Sequence, residues 1–179
     1  GLCDLFSVTG TRESSALITK RAGDDTGLDH GDGPGARRSR TVRPGDEVVF
    51  TKPEGGSSPQ PAPYHLFTGE ETVSLPFGPI LRSLTDAETH TILEVDTPET
   101  ACLDNVTWLY REGKPAASSN TLPEAVKSLT LPITPGIAYP AGEAKTVNSI
   151  KKHLIQDRNW PHGNIKTKPF RPPGKRGLE

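Results

Sequence analysis

Apolar residues in this chain come in short runs bounded by glycine or proline, which limits the fold to a compact centre with much loop. The clearest run, PYHLFTG at residues 63–69, reads as a β-strand with a titratable histidine inside it. Such a ring costs free energy in an apolar strand unless it is hydrogen-bonded or used, so His65 is the first candidate functional residue. Of 179 residues, 18 are glycine, 18 are proline and 32% are hydrophobic, enough for one domain with tails. No run nears the roughly 18 apolar residues of a membrane span, and no signal-peptide core is seen. A soluble protein, not secreted under its own signal, is expected.

Residues 1–40 are rich in Gly, Asp and Arg with little to bury, and are expected to be disordered. Order is expected over residues 41–158, followed by a basic extended tail over 159–179. Pro44-Gly45-Asp46 reads as a turn and Glu47–Phe50 as a strand. YHLFTG and ETVSL read as the two arms of a β-hairpin, and THTILEVD as a further strand. The segment TPETACLDNVTWLYREG reads as a helix, with Pro98 in its first turn and Gly113 and Pro115 ending it. Cys102, Val106, Leu109 and Tyr110 would then share one face. A second helix is expected at AKTVNSIKKHLIQD, presenting Val147, Ile150 and Leu154. The fold class is α+β, a small antiparallel sheet packed on a Cys-bearing helix.

Net charge is −1, unevenly spread: from Ala144 onward nine Lys/Arg face only Asp157 and Glu179. A basic arm of this kind can follow a phosphate backbone or an anionic membrane. Candidate nucleic-acid-binding residues are Lys151, Lys152, Lys166, Lys168, Arg171, Lys175 and Arg176; the competing reading is a solvated tail. Two cysteines, Cys3 and Cys102, make no disulfide framework, and no metal-ligand spacing or cofactor motif is evident, so neither metal nor cofactor is expected.

A strand histidine and a helix cysteine are two halves of a thiol-nucleophile site. Cysteine attacks as thiolate, so it needs a base within hydrogen-bond reach and a field that lowers its pKa. Cys102, early in a helix, has such a field, and His65 could take its proton. A third group should orient the imidazole; Ser74 is the candidate, with His90 as the alternative. Against this stands the bland reading of a core histidine and a small buried cysteine.

RPGDEVVF, YHLFTGEETVSL, SLTDAETHTILEV and ACLDNVTWLYREGKP, taken in order, resemble the H-box and Asn-Cys blocks of the lecithin:retinol acyltransferase-like family. Those enzymes are related to NlpC-type papain-like peptidases. Ala101 stands where that family has Asn, Ser74 where it has a second histidine, and the missing helix suggests a permuted arrangement. The chain has no methionine and runs from Gly1 to Glu179. With the H-box, this is similar to the picornavirus 2A proteins of the H-box/NC type. That resemblance implies a polyprotein product released by a viral 3C-type protease and located in the host-cell cytoplasm, at replication membranes. It implies action in RNA replication or encapsidation through viral RNA, replication-complex proteins or host membrane lipids, with little catalysis. The alternatives are an active Cys/His phospholipase or acyltransferase and a matrix-like RNA- or lipid-binding module.

Overall fold

The computed structural model describes residues 59–98 and 103–169, Thr41, Arg43, and the backbone of three earlier strands. The chain divides into two compact units, Gly1–Ser57 and Ser58–Glu179. In the first, β1 (Ser7–Thr9), β2 (Ser15–Thr19) and β3 (Glu47–Val49) form an antiparallel sheet in the order β1-β2-β3. The strand expected at Glu47 is therefore present. Apart from β1 and β2, the segment 1–40 expected to be disordered lies outside the described residues.

The second unit runs β4 (His65–Glu70), α1 (Ser74–Ser83), β5 (Thr89–Val95), β6 (Thr107–Tyr110), α2 (Thr121–Ser128), β7 (Ile137–Gly142), α3 (Ala144–Gln156) and β8 (Lys168–Pro169). Its five strands are all parallel, in the order β6-β5-β4-β7-β8. Parallel neighbours cannot be joined by a tight turn, so the chain crosses a face of the sheet between strands. One face packs Leu66 of β4, Ile92 of β5 and Ala138 of β7 against Leu122 and Val126 of α2 and Ile150 and Leu154 of α3. The other packs Phe67 and Leu93 against Val73 and Phe77. Adjacent residues of β4 and β5 thus enter opposite cores, and helices cover both faces, as a parallel sheet requires.

This corrects the expected antiparallel, acyltransferase-like α+β fold. ETVSL is not the second arm of a hairpin: Glu71–Val73 is a 3₁₀ turn running straight into α1. The Glu70 carboxylate accepts from the Thr72 N–H at 3.1 Å and starts that turn. Val73 and Phe77 then bury at helical spacing, which outweighs the short β-like alternation. The expected helix TPETACLDNVTWLYREG also fails, because Thr107–Tyr110 is the edge strand β6. Trp108 packs into one core and Leu109 into the other, a period of two that the accidental i, i+4 spacing concealed. Cys102 lies outside the described residues.

The helix expected at residues 144–157 forms as α3, and Val147, Ile150 and Leu154 are its buried residues. Chain beyond it remains engaged with the sheet: Trp160 and Ile165 join the core, and β8 pairs with β7. Pro140 sits inside β7, where a missing N–H should break a ladder. Ile137 N–H donates to Tyr64 on the β4 side, whereas Ala138 C=O accepts from Lys166 N–H on the β8 side. By alternation Pro140 faces β8, so the contact with β4 loses no donor.

Candidate functional site

The strand order fixes where a site can be. Chain direction along the sheet reverses between β4, which leads outward to β5 and β6, and β7, which leads to β8. At such a switch point the two following connections diverge and leave a crevice beyond the carboxyl ends of the strands. Here β4 ends Gly69-Glu70 and β7 ends Ala141-Gly142, with Glu143 opening α3.

Both glycines are required by close approach. A Cβ on Gly69 would sit 2.6 Å from Ala141 O and 2.4 Å from Val73 Cγ2. Gly142 has φ +111°, and a Cβ there would lie 2.9 Å from Glu70 Cγ. The Cβ positions of the two glycines are thus filled by the Val73 and Glu70 side chains and the Ala141 carbonyl, and the missing side chains let β4 and β7 close on one another. Glu70 is held by Thr72, whose hydroxyl and N–H both donate to it, yet burial pushes its carboxyl above the ordinary range. Glu143 behaves oppositely. Burial would raise it, but N–H donation from Thr146 at 2.8 Å and from Lys145 prevails and holds it low. Ser74 Oγ, at the start of α1, is buried with no partner among the described residues.

Beside the crevice lies a buried charge cluster. Arg111, the residue after β6, is 6% exposed and grips Glu71 with a two-bond fork, Nη1 to Oε2 at 2.7 Å and Nη2 to Oε1 at 2.6 Å. Those bonds raise its already high pKa further. Its Nη1 also stands 3.8 Å from Glu94 Oε2, and Ser119 donates its hydroxyl to the other Glu94 oxygen. The turn after Arg111 passes through Glu112 and Gly113 at φ 53° and 84°, which brings Lys114 O to 3.0 Å from Arg111 Nε.

The sequence-predicted residues do not assemble. His65 starts β4 and Ser74 follows its far end, so roughly 16 Å of strand separates them. His65 is 1% exposed and sits near the rings of Phe67 and Tyr139, with Nδ1 unpartnered among the described residues. It borders a pocket of ≈ 400 Å³ walled by Pro59–Pro63 and Ser83–Glu88, at the amino-terminal ends of the strands, opposite the switch-point crevice. Burial lowers its pKa. His90 is at the same end of the sheet, 3.1 Å from Glu88. Lys152, Lys166 and Lys168 are exposed and Lys151 partly so; Arg171, Lys175 and Arg176 lie outside the described residues. Among the described residues no cluster of His, Cys, Asp or Glu could hold a metal ion, and no helix is long and apolar enough to cross a membrane. Sequence reasoning passed over Gly69, Glu71, Arg111 and Gly142. The available signal was a repeated pattern: an apolar run ending in Gly-Glu, then helical spacing.

The fold and its switch point define a doubly wound α/β unit of the kind that carries ligands at strand ends. Residues 62–170 match the family model of the siderophore-interacting proteins, and the chain belongs to that family. A siderophore utilization protein from T. fusca has 23% identity and a TM-score of 0.66, over 84% of this chain and 60% of its own. For the siderophore-interacting protein SipS from Aeromonas hydrophila the values are 24% and 0.69, over 82% and 60%. The chain thus spans about 60% of the length of these two structures. A ferredoxin NADP+ reductase from Neisseria gonorrhoeae, solved with bound FAD and NADP, has 15% identity and a TM-score of 0.51, over 78% and 71%. Comparison with curated proteins gave no match.

The family membership overturns the viral expectation. The chain is not a picornavirus 2A protein: the block taken for an H-box is a β-strand-to-helix turn, and Thr107–Tyr110 of the block taken for an Asn-Cys motif is an edge strand of a different fold. With that go viral RNA, replication-complex proteins, host membrane lipids and a 3C-type protease as partners, and the host-cell cytoplasm as location, since the chain belongs to the siderophore-interacting proteins and the solved structures named above come from bacteria.

Proposed function

We propose that the unit Ser58–Glu179 binds a nicotinamide dinucleotide across the ends of β4 and β7, and serves a reductase that acts on siderophore-held ferric iron. The observation that carries this reading is the pair of glycine-ended strands meeting at the switch point, Gly69 of β4 and Gly142 of β7. The reductase that shares the fold is one solved with NADP and FAD, and the family's name supplies the siderophore.

The residues fit such a ligand in three respects. Gly69 and Gly142 let β4 and β7 close tightly at the switch point, so the carboxyl ends of both strands border one ligand crevice. Ser74 Oγ, buried and unpartnered among the described residues, can donate to a phosphate or ribose oxygen at the start of α1. In the acidic turn Glu70-Glu71, Arg111 compensates the Glu71 carboxylate through its two-bond fork. When bound, the nicotinamide supplies a hydride donor. The chain's own part is to hold the phosphates and to keep the crevice low in net charge.

Titrating NADPH and NADH into the full chain, by calorimetry and by amide NMR shifts, tests the reading. Saturable binding of at least one, with a dissociation constant of about 1 μM to 1 mM, is expected. Shifts should centre on Gly69–Val73 and Gly142–Glu143 and leave His65 unmoved. A folded chain that binds neither dinucleotide refutes it.

A further inference from the structure

We infer that Arg111 is a positioning residue for this dinucleotide site: it fixes the turn after β4 and cancels the Glu71 charge so that an anionic phosphate can enter. The inference rests on the dinucleotide reading above and adds a residue outside the crevice that governs which ligands the crevice accepts.

Three observations support it. Arg111 reaches the turn from the end of the edge strand β6, past β5, and its two bonds to Glu71 are short, near-ideal and buried. The guanidinium is itself preorganised. Nε donates to Lys114 O at 3.0 Å across a turn with two left-handed residues, and Nη1 meets Glu94 O at 3.4 Å. Each nitrogen of the guanidinium thus has an acceptor inside the protein. Finally, Glu71 directly follows Glu70, which borders Gly142 and caps the turn by accepting from the Thr72 N–H. Glu71 is buried, so an uncompensated carboxylate there would be poorly screened and would oppose a phosphate at the end of β4. Arg111 need not touch the ligand to matter, because it sets the charge and shape of the surface the ligand meets.

The test compares ADP, whose phosphates are charged, with adenosine, which is neutral, on the full chain. For Arg111→Met, ADP affinity is expected to fall on the order of tenfold or more while adenosine binding holds, because one buried carboxylate is left unpaired. Adding Glu71→Gln to that variant removes the stranded charge and is expected to bring ADP affinity back toward the wild-type value. A merely structural role would weaken both ligands alike and show no such recovery, and either result overturns the inference. Unchanged ADP affinity in folded Arg111→Met does so too. If that variant fails to fold, Arg111→Lys and the Glu71→Gln/Arg111→Met pair take its place. Both leave Glu71 without an uncompensated charge and should bind ADP close to wild type, and a tenfold loss in both overturns the inference. Wild-type chain that binds neither ADP nor NADPH instead refutes the dinucleotide reading and removes the basis for this one.

Discussion

Glu70 of β4 lies against Gly142 of β7 so closely that a methyl group on Gly142 would come within 3.0 Å of both Cγ and Oε1 of the glutamate. The contact joins the two strands that flank the switch point, at the level where their backbones part. The φ of +111° at Gly142, a conformation that side chains rarely adopt, is a second and separate reason for glycine there.

Gly142→Ala should therefore be costly twice. The backbone strain alone is about 1–3 kcal/mol, and Glu70 must also leave its seat. Chemical denaturation should show the lost stability. Nucleotide titration should show a larger fractional loss of binding than a core substitution of equal cost, such as Ile150→Val on α3. Equal losses would mean that Gly142 matters for folding only.

His65 makes stability pH-dependent. Burial depresses its folded-state pKa below the ordinary value of about 6.5, so the unfolded chain takes up the proton more readily. The neutral ring's contribution is full above that ordinary value and is lost as pH falls below it. Glu70, raised by burial, contributes with the opposite sign at lower pH. Between about pH 7.5 and 5.5 wild-type stability should decline, and His65→Leu should decline less. Identical slopes would show that the ring is not held neutral by the fold.

The sequence displayed some of this architecture and hid the rest for definite reasons. Alternating and β-branched residues made Thr89–Val95 legible as a strand, and the spacing of Val147, Ile150 and Leu154 made α3 legible as a helix. Parallel pairing was not legible, because strands buried on both faces carry no polar alternation to mark an outer side. Trp108 and Leu109 show the consequence, serving opposite cores from a four-residue strand whose neighbours mimic a helical stripe. His65 drew attention because a polar residue in an apolar run is conspicuous. The site residues Gly69 and Gly142 carry no side chain to notice, and Glu71 and Arg111 are 40 residues apart.

Arg158 ties the ends of two helices on one face of the sheet. Its Nη2 donates to Lys127 O at 3.0 Å and Leu129 O at 2.6 Å, and its Nε donates to His153 Nε2 at 2.9 Å. His153 Nδ1 in turn meets Asp157 at 2.8 Å, so the ring donates there and accepts from the arginine. Arg158→Ala leaves the carbonyls closing α2 without their donor and should cost about 1–3 kcal/mol. Because these residues lie far along α2 and α3 from the switch point, nucleotide affinity of the folded variant should not change. A thermal unfolding series with and without ligand separates the two effects.

Gly69→Ala tests whether the close apposition of β4 and β7 can yield. The added methyl meets two groups of different kinds: the Val73 side chain at 2.4 Å from Cγ2, and the Ala141 carbonyl oxygen at 2.6 Å. The first can be removed by Val73→Ala. The second is backbone of β7, and easing it requires β4 and β7 to separate at the switch point. Gly69→Ala should lower stability by about 1–3 kcal/mol or more and abolish measurable nucleotide binding. The Gly69→Ala/Val73→Ala pair should recover no binding, because the carbonyl clash persists, and it adds the cost of a cavity beside Phe77. Full recovery of binding in the pair would show that β7 shifts freely, and that the tight apposition of the two strands is not what shapes the site.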